Sequence, residues 1–392
     1  MPERKPAGST TLITGARVID GTGNPWFYGD VVLTGDTIAA IAPAGRAAVS
    51  AAETVDATGL VVCPGFIDIQ SHSIVPFLTD RRSLSKITQG VTTEIMGEAW
   101  TPSPSGGRID DPFRESWPHI PGDQDTWREL AHSWTRFGDW LEWLEHEGVS
   151  VNVGSFIGGG TVREWGKGLA LGDATPDELA SMSGMLAAAM EDGAFGIATA
   201  LIYPPGCYAS TGELVALCEG VAAHRGVHIT HLRSEESRLL EGSDEAIDIA
   251  RRTGVATEIY HLKAAGKPNW DKMPEVIRRI DAARAEGIDV TADMYPYEAA
   301  GTGLASCLPP WAEADGKFWE NLRDPDTRAR IRRAMLEPAS DWENLGASAG
   351  PEGVILAGLQ RPEHEAYLGR SLANVAADRG GDRDLSSQGG GE

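Results

Sequence analysis

The sequence predicts an α/β fold, a TIM-like (β/α) barrel preceded by a small N-terminal β lobe. From residue 61 onward, short apolar segments alternate with helical segments, an order typical of parallel strands joined by helices. The strand segments are apolar along their length, which favours burial on both faces and therefore a barrel over an open sandwich. Polar motifs follow these segments, at the ends of strands where the functional residues of such barrels lie.

Residues 1–60 form the predicted β lobe. Two short strand patterns precede the turn pair Asp20-Gly21, and a hairpin pattern follows it. These segments are residues 11–13, 16–19, 30–33 and 38–41. The lobe is too small to be an enzyme by itself, and we expect it to be an incomplete β-sandwich.

The predicted barrel occupies residues 61–372. Its strands are expected at residues 61–69, 92–97, 150–157, 195–200, 227–231, 256–262 and 288–294. Its helices are expected at residues 137–147, 176–191, 211–225, 244–252 and 273–286, with a charged helix near 325–336 and a strand-like segment at 354–357. The barrel strands number one fewer than the eight that close such a barrel. Residues 373–392 are polar and rich in Gly and Ser, so we expect a disordered tail.

The composition excludes several classes of function. The chain has 34 basic and 57 acidic residues. The resulting net charge of −23 argues against binding nucleic acid or anionic lipid. The four cysteines are too widely spaced for a CxxC pair or a disulfide framework. No secretory signal and no apolar run of membrane-spanning length is visible. We therefore expect a soluble cytoplasmic protein.

Polar motifs with a consistent order follow the predicted strands. They read PGFIDIQSH at 64–72, QGVTTEIMGE at 89–98, NVGSFIGGGTVR at 152–163, YPPGCYA at 203–209, THLRSE at 230–235, YHLKAAGKPNW at 260–270 and DVTADMYPYEAAGTGL at 289–304. Together they resemble the amidohydrolase superfamily, in the branch of the D-aminoacylases or N-acyl-D-amino-acid deacylases. The resemblance covers roughly residues 10–372.

The resemblance implies an eighth strand that ends in Ser-Asp-Gly. No such motif follows residue 305, so we expect the chain to be truncated shortly after Ala377 and the barrel to lack this strand. Unpaired edge strands would then invite aggregation or pairing with a second copy of the chain. In the family the Asp of that motif transfers the proton, and loss of such a group costs about 10²–10⁴-fold in rate. We assign no catalytic residue and expect the activity of this chain to be impaired.

Two histidines at the ends of neighbouring strands are candidate metal ligands. His231 ends the segment 227–231, and His261 ends the next one. Imidazoles at one barrel rim can share Zn²⁺, although polar rim histidines without a metal would show the same spacing. The resemblance implies that both are ligands.

The other half of the expected site departs from the family pattern. Relatives carry Asn-Cys where this chain has Glu98-Ala99, and we expect the Glu98 carboxylate to replace the thiolate as a ligand. His72 matches the second histidine of the family's His-x-His, whereas Gln70 stands at the first. A neutral amide is a poor ligand for Zn²⁺. We therefore expect one or two divalent ions, held by Glu98, His231 and His261 with His72 weaker.

Substrate-binding residues are also implied by the resemblance. Lys263 corresponds to a lysine that holds the substrate carboxylate, and Tyr295 to a tyrosine that assists it; a surface lysine and a packed core aromatic ring are the alternatives. Arg233 and Glu235 follow His231 and are candidates to support the ligands from behind.

The expected function is metal-dependent hydrolysis of a linear amide, an N-acyl-D-amino acid, to a carboxylate and a D-amino acid. A dihydroorotase-, hydantoinase- or dipeptidase-like reaction is an alternative, but residues 198–201 lack the carboxylated lysine of those relatives. An inactive truncated product or a non-catalytic binding protein is the other alternative. The expected partner is a small molecule.

Overall fold

A computed structural model describes residues 8–113, 124–337, 341–359 and 361–379. The chain divides into two compact units. The first contains residues up to 67 together with 89–92, and the second contains 68–88 and the chain from 93 onward. The first unit therefore extends beyond residue 60, where the sequence places the end of the β lobe.

The first unit is a single five-stranded sheet. Its strands are β1 (Thr10–Val18), β2 (Phe27–Thr34), β3 (Thr37–Pro43), β4 (Glu53–Asp56) and β5 (Val61–Val62). They lie in the order β3–β2–β1–β4, with β5 also beside β1. The predicted hairpin is formed by β2 and β3, which are antiparallel.

A bulge joins the two N-terminal segments into one strand. The register of β1 against β2 shifts between Ile13 and Ala16. Gly15 lies there with φ of 70°, and a Cβ at this position would come within 2.8 Å of the Thr58 hydroxyl. Asp30 accepts a hydrogen bond of 3.1 Å from the Gly15 N–H, which satisfies a donor that the ladder leaves unpaired.

The predicted buried strand at residues 61–69 is wrong. β5 belongs to the sheet of the first unit, and Leu60 and Val61 are 60% and 46% exposed. A separate short strand, β6 (Phe66–Asp68), follows. Pro64 lies between the two strands and has no N–H for a ladder, which is the physical reason for the interruption.

The remaining strands follow the βα order that the sequence predicts. They are β7 (Val91–Met96), β8 (Asn152–Ser155), β9 (Ile157–Gly158), β10 (Gly196–Ala200), β11 (Val227–His231), β12 (Ala256–Ile259) and β13 (Val290–Ala292). One sheet has the order β6–β7–β8, and the other runs from β9 to β13 in chain order with parallel pairing. The α/β class and the small N-terminal β region are thus confirmed.

Helices lie between and after the strands. They are α1 (Ile74–Thr79), α2 (Leu84–Ile87), α3 (Gln124–Ser133), α4 (Phe137–Glu147), α5 (Gly159–Lys167), α6 (Pro176–Glu191), α7 (Thr211–Ala223), α8 (Leu239–Thr253), α9 (Met273–Ala285), α10 (Phe318–Arg323), α11 (Pro325–Leu336), α12 (Leu345–Gly353) and α13 (Leu372–Asp378). Thr175 and Glu178 form a capping box that begins α6. The bounds predicted for α4, α6 and α11 are confirmed.

The segment after β13 differs from the prediction. Among the described residues no strand follows β13, and the strand-like segment 354–357 makes only an isolated bridge between Ile355 and Ser371. α13 falls at the start of the predicted tail, so the prediction of disorder is wrong for residues 373–378. Residues 380–392 lie outside the described ranges. The missing eighth strand stays a prediction.

The core of the second unit lies between the parallel strands and the helices that follow them. Every residue of β10 is buried, and Ile197 packs with Leu186 of α6 and Leu217 of α7. Trp140 of α4 is fully buried in a neighbouring cluster, as a core residue would be. Within the described ranges no helix combines the length and apolar character needed to cross a bilayer.

Candidate metal centre

Three side chains from separate strands converge in the second unit. Glu98, His231 and His261 each offer one ligand atom, and these atoms lie within 4.8 Å of one another. Glu98 Oε1 is 3.5 Å from His231 Nδ1 and 3.6 Å from His261 Nε2. All three side chains are buried, with exposed fractions of 8%, 6% and 11%.

The backbone directs each of these side chains inward. Glu98 follows β7 after Gly97, whose φ is 108° and whose Cβ, if present, would lie 2.2 Å from the Phe156 carbonyl oxygen. Only glycine fits there, so Gly97 lets the chain turn. His231 is the last residue of β11. His261 lies two residues beyond β12 rather than on the predicted strand, with φ of 37°, and its N–H donates to the Asp293 carboxylate.

The two oxygens of Glu98 face different partners. Oε1 faces His231 and His261, whereas Oε2 accepts a hydrogen bond of 2.6 Å from Gln70 Nε2 and lies 3.1 Å from His72 Nε2. The His72 side chain is 72% exposed. Gln70 and His72 therefore approach the same carboxylate, but from a turn after β6 and not from consecutive inward positions of a strand.

Glu235 supports both histidines from the side opposite Glu98. Its Oε1 lies 3.0 Å from His261 Nδ1, and its Oε2 lies 3.7 Å from His231 Nε2. Each imidazole thus has one nitrogen toward Glu98 and the other toward Glu235. A carboxylate behind a metal-binding imidazole orients the ring and raises its basicity.

The charges of the cluster compensate one another. Burial opposes ionisation of Glu98, but hydrogen bonds from His231, His261 and His72 outweigh it and hold its pKa well below the usual range. Burial likewise opposes protonation of His261, yet hydrogen bonds to Glu235 and Glu98 raise its pKa to about 9. The surroundings therefore favour positive charge between the two carboxylates.

The donor set suits a cation. His231 Nδ1 and His261 Nε2 both face Glu98 Oε1, at 3.5 and 3.6 Å. Two imidazoles and a carboxylate are the ligands that Zn²⁺ takes in proteins, and catalytic zinc sites keep a further position open. The residues present thus fit a divalent transition metal.

Lys263 and Tyr295 lie beside this cluster. The Lys263 ammonium donates to Glu235, lies 2.9 Å from His261 Nδ1 and stands 5.5 Å from the centre of the Tyr295 ring. The Tyr295 and His261 rings are 6.3 Å apart. The structure therefore brings together all the residues singled out for binding metal or substrate.

Arg233 has a different environment from Glu235. Its guanidinium pairs with Glu245 at 2.8 Å and donates to the carbonyls of Cys207 and Ala209. It thereby holds the loop that carries Tyr203, whose ring centre lies 5.4 Å from that of His231.

Sequence reasoning missed three contributors to the cluster. Tyr203 lies in the YPPGCYA motif, which is the only signal that could have indicated it. The donor role of Gln70 has no signal in the sequence, because the family pattern at this position indicates only a lost ligand. Glu343, which contacts the loop of Glu235, has no motif around it and comes from a distant part of the chain.

No protein-family model matches the chain. It is 35% identical over 293 residues to the D-aminoacylase of Alcaligenes xylosoxydans xylosoxydans, which covers 75% of this chain and 58% of that enzyme. It is 33% identical over 376 residues to the N-acyl-D-glutamate deacylase of the same organism, covering 94% of this chain and 73% of the relative. The chain thus spans somewhat over half of the first enzyme and nearly three quarters of the second.

A solved structure is similar as well. The N-acyl-D-glutamate deacylase of Bordetella bronchiseptica, crystallised with zinc and a phosphonate inhibitor that mimics the tetrahedral intermediate, superposes with a TM-score of 0.73 at 26% identity. The superposition covers 96% of this chain and 69% of that one. The fold, the order of the motifs and these similarities together show that the chain belongs to the D-aminoacylase family of amidohydrolases.

Proposed function

We propose that this chain carries the metal centre of a hydrolase that cleaves N-acyl-D-amino acids into a carboxylate and a D-amino acid. The observation that supports this function best is the convergence of Glu98, His231 and His261 within 4.8 Å of one another. The curated relatives deacylate N-acyl-D-amino acids or are named for D-aminoacylase activity. Their names supply the substrate class, and the cluster supplies the chemistry.

We propose zinc as the metal. Glu98, His231 and His261 would hold it, and His72 lies close enough to Glu98 Oε2, at 3.1 Å, to take part from the exposed side. Imidazole with carboxylate suits zinc, and the related Bordetella enzyme binds this metal. Bound zinc lowers the pKa of water and polarises a carbonyl group.

The residues of the chain would prepare the site for that chemistry. Glu235 would orient the His261 ring through its contact of 3.0 Å with Nδ1, and its second oxygen faces His231 Nε2 at 3.7 Å. Lys263 and Tyr295 lie together beside His261 and would receive the carboxylate of the substrate. The side chains of Glu98, His231 and His261 are largely shielded from bulk solvent, with exposed fractions of 8%, 6% and 11%.

Proton transfer in the proposed reaction needs a carboxylate outside the cluster of Glu98, His231 and His261. The resemblance places that carboxylate after an eighth strand, and within the described ranges no strand follows β13. The proposed activity therefore requires an acid–base group in addition to the residues of the described cluster.

The test is turnover by the purified, zinc-loaded chain. We expect release of free amino acid from a panel of N-acetyl-D-amino acids, including N-acetyl-D-glutamate, and none from the L-enantiomers. The variant His231→Ala should abolish this release, which distinguishes it from a contaminating hydrolase. Zinc binding with no turnover of any D-substrate would contradict the proposed hydrolysis by this chain.

A further inference from the structure

The loop that carries Glu235 has no regular secondary structure of its own. Residues 232–238 follow β11 as bends and turns, so their N–H groups have no ladder partner. Glu235 nevertheless aims one oxygen at each of the two histidines. Something outside this loop must therefore hold its backbone in place.

Ala265 N–H and the Lys272 ammonium donate to carbonyls of this loop, and Glu343, more than a hundred residues further along the chain, accepts from its N–H groups. A single oxygen, Oε1, accepts hydrogen bonds from the Ser234 hydroxyl at 2.7 Å, from the Glu236 N–H at 2.7 Å and from the Glu235 N–H. Two successive N–H groups and a hydroxyl form a small concave site for an anion. In this protein the side chain of Glu343 fills it.

The position of the Glu343 carboxylate is fixed by burial and by its hydrogen bonds. The residue is 9% exposed, and its second oxygen, Oε2, is buried with no hydrogen-bond partner among the described residues. Burial of a carboxylate oxygen without a partner is unfavourable, so the rest of the contact must outweigh it. Its neighbour Asn344 is also buried and donates 2.8 Å to the Met335 carbonyl, which anchors the backbone at this point.

We propose that Glu343 is a positioning residue for the metal centre: it fixes the loop of Glu235, and through Glu235 it fixes the orientation of His231 and His261. This inference rests on the metal centre proposed above.

The test is zinc affinity, measured by competition with a chromophoric chelator, together with the visible spectrum of the Co²⁺-loaded protein. Glu343→Ala removes the acceptor, and we expect about a tenfold loss of zinc affinity, the lower end of what removing a support behind a metal ligand costs. The Co²⁺ spectrum should change with it. Glu343→Gln keeps a carbonyl oxygen that can accept from the Glu235 and Glu236 N–H groups, and it should recover part of both readouts.

Glu178→Ala is the matched control for lost stability. Glu178 caps α6 and accepts from Arg108 at 2.7 Å, without contact to the metal cluster. The Glu178→Ala substitution should lower the melting temperature but leave zinc affinity and the Co²⁺ spectrum unchanged. Glu343→Ala with unchanged affinity and spectrum would overturn the inference, as would a Glu343→Gln variant as impaired as Glu343→Ala. Absence of zinc binding by the unmodified protein would instead overturn the proposed function.

Discussion

Gln70 Nε2 donates a hydrogen bond of 2.6 Å to Glu98 Oε2, so the oxygen that faces away from His231 and His261 is already engaged. A carboxylate can only accept, and the amide must therefore present its N–H₂ group to it. An N–H₂ group has no lone pair for a metal. We therefore expect Gln70 to oppose the binding of a second ion on that side of Glu98.

The first prediction concerns the number of metal ions. After saturation with zinc and dialysis, we expect one equivalent per chain, measured by inductively coupled plasma mass spectrometry. Gln70→His supplies an imidazole beside His72 and should raise the content above one. Gln70→Ala, which removes the amide without adding a ligand, should stay at one. Two equivalents in the unmodified protein would contradict the role given to Gln70.

The second prediction concerns the proposed ligands. Zinc binds the folded protein through groups that are apart in the unfolded chain, so it should raise the melting temperature. His231→Ala or His261→Ala should eliminate this increase. His224→Ala is the matched control, because the His224 side chain is exposed and hydrogen-bonds to the Gly220 carbonyl, away from the cluster, and the variant should respond to zinc like the unmodified protein. A full zinc response in His231→Ala would exclude that residue as a ligand.

The third prediction concerns the substrate carboxylate. Lys263→Met removes the cation, and loss of a hydrogen bond to a charged group should lower kcat/KM about 10–100-fold. The corresponding substrate carboxamide carries no charge, so the variant and the unmodified protein should cleave it at similar rates. Equal losses on both substrates would indicate that Lys263 acts through its bond to Glu235 rather than on the substrate. Tyr295→Phe tests the contribution of the Tyr295 hydroxyl, and Tyr297→Phe is its control because Tyr297 is 75% exposed.

The fourth prediction concerns pH and the folded state. His228 is fully buried in β11, and burial lowers its pKa to about 4. Between pH 4 and 6.5 the unfolded chain therefore binds more protons at this residue than the folded chain does, and stability falls as the pH falls through that window. The contribution lost is about 3 kcal/mol. Chemical denaturation with chelator present should show a smaller decrease from pH 7.5 to 4.5 in His228→Gln, and an identical decrease would contradict this origin.

Much of the fold could be predicted because hydrophobic periodicity and the residues that begin or end an element are properties of short segments. The capping box of Thr175 and Glu178 begins α6 where the sequence indicates it, and the apolar run up to His231 forms β11 with the predicted bounds. The prediction of one strand at residues 61–69 is wrong because an apolar run does not reveal its partner strand. Val61–Val62 pairs with β1 within the first unit, and Pro64 then interrupts the chain before β6.

The amino-acid sequence by itself determined the βα order, the small N-terminal β region and the family, because spacing, turn residues and motif order are properties of short segments. Only the tertiary structure decided that Gln70 donates to Glu98, that Glu235 faces both histidines and that Glu343 holds the loop of Glu235. Hydrogen bonds between residues far apart in the chain depend on the positions of the folded elements that carry them. No local pattern encodes those positions.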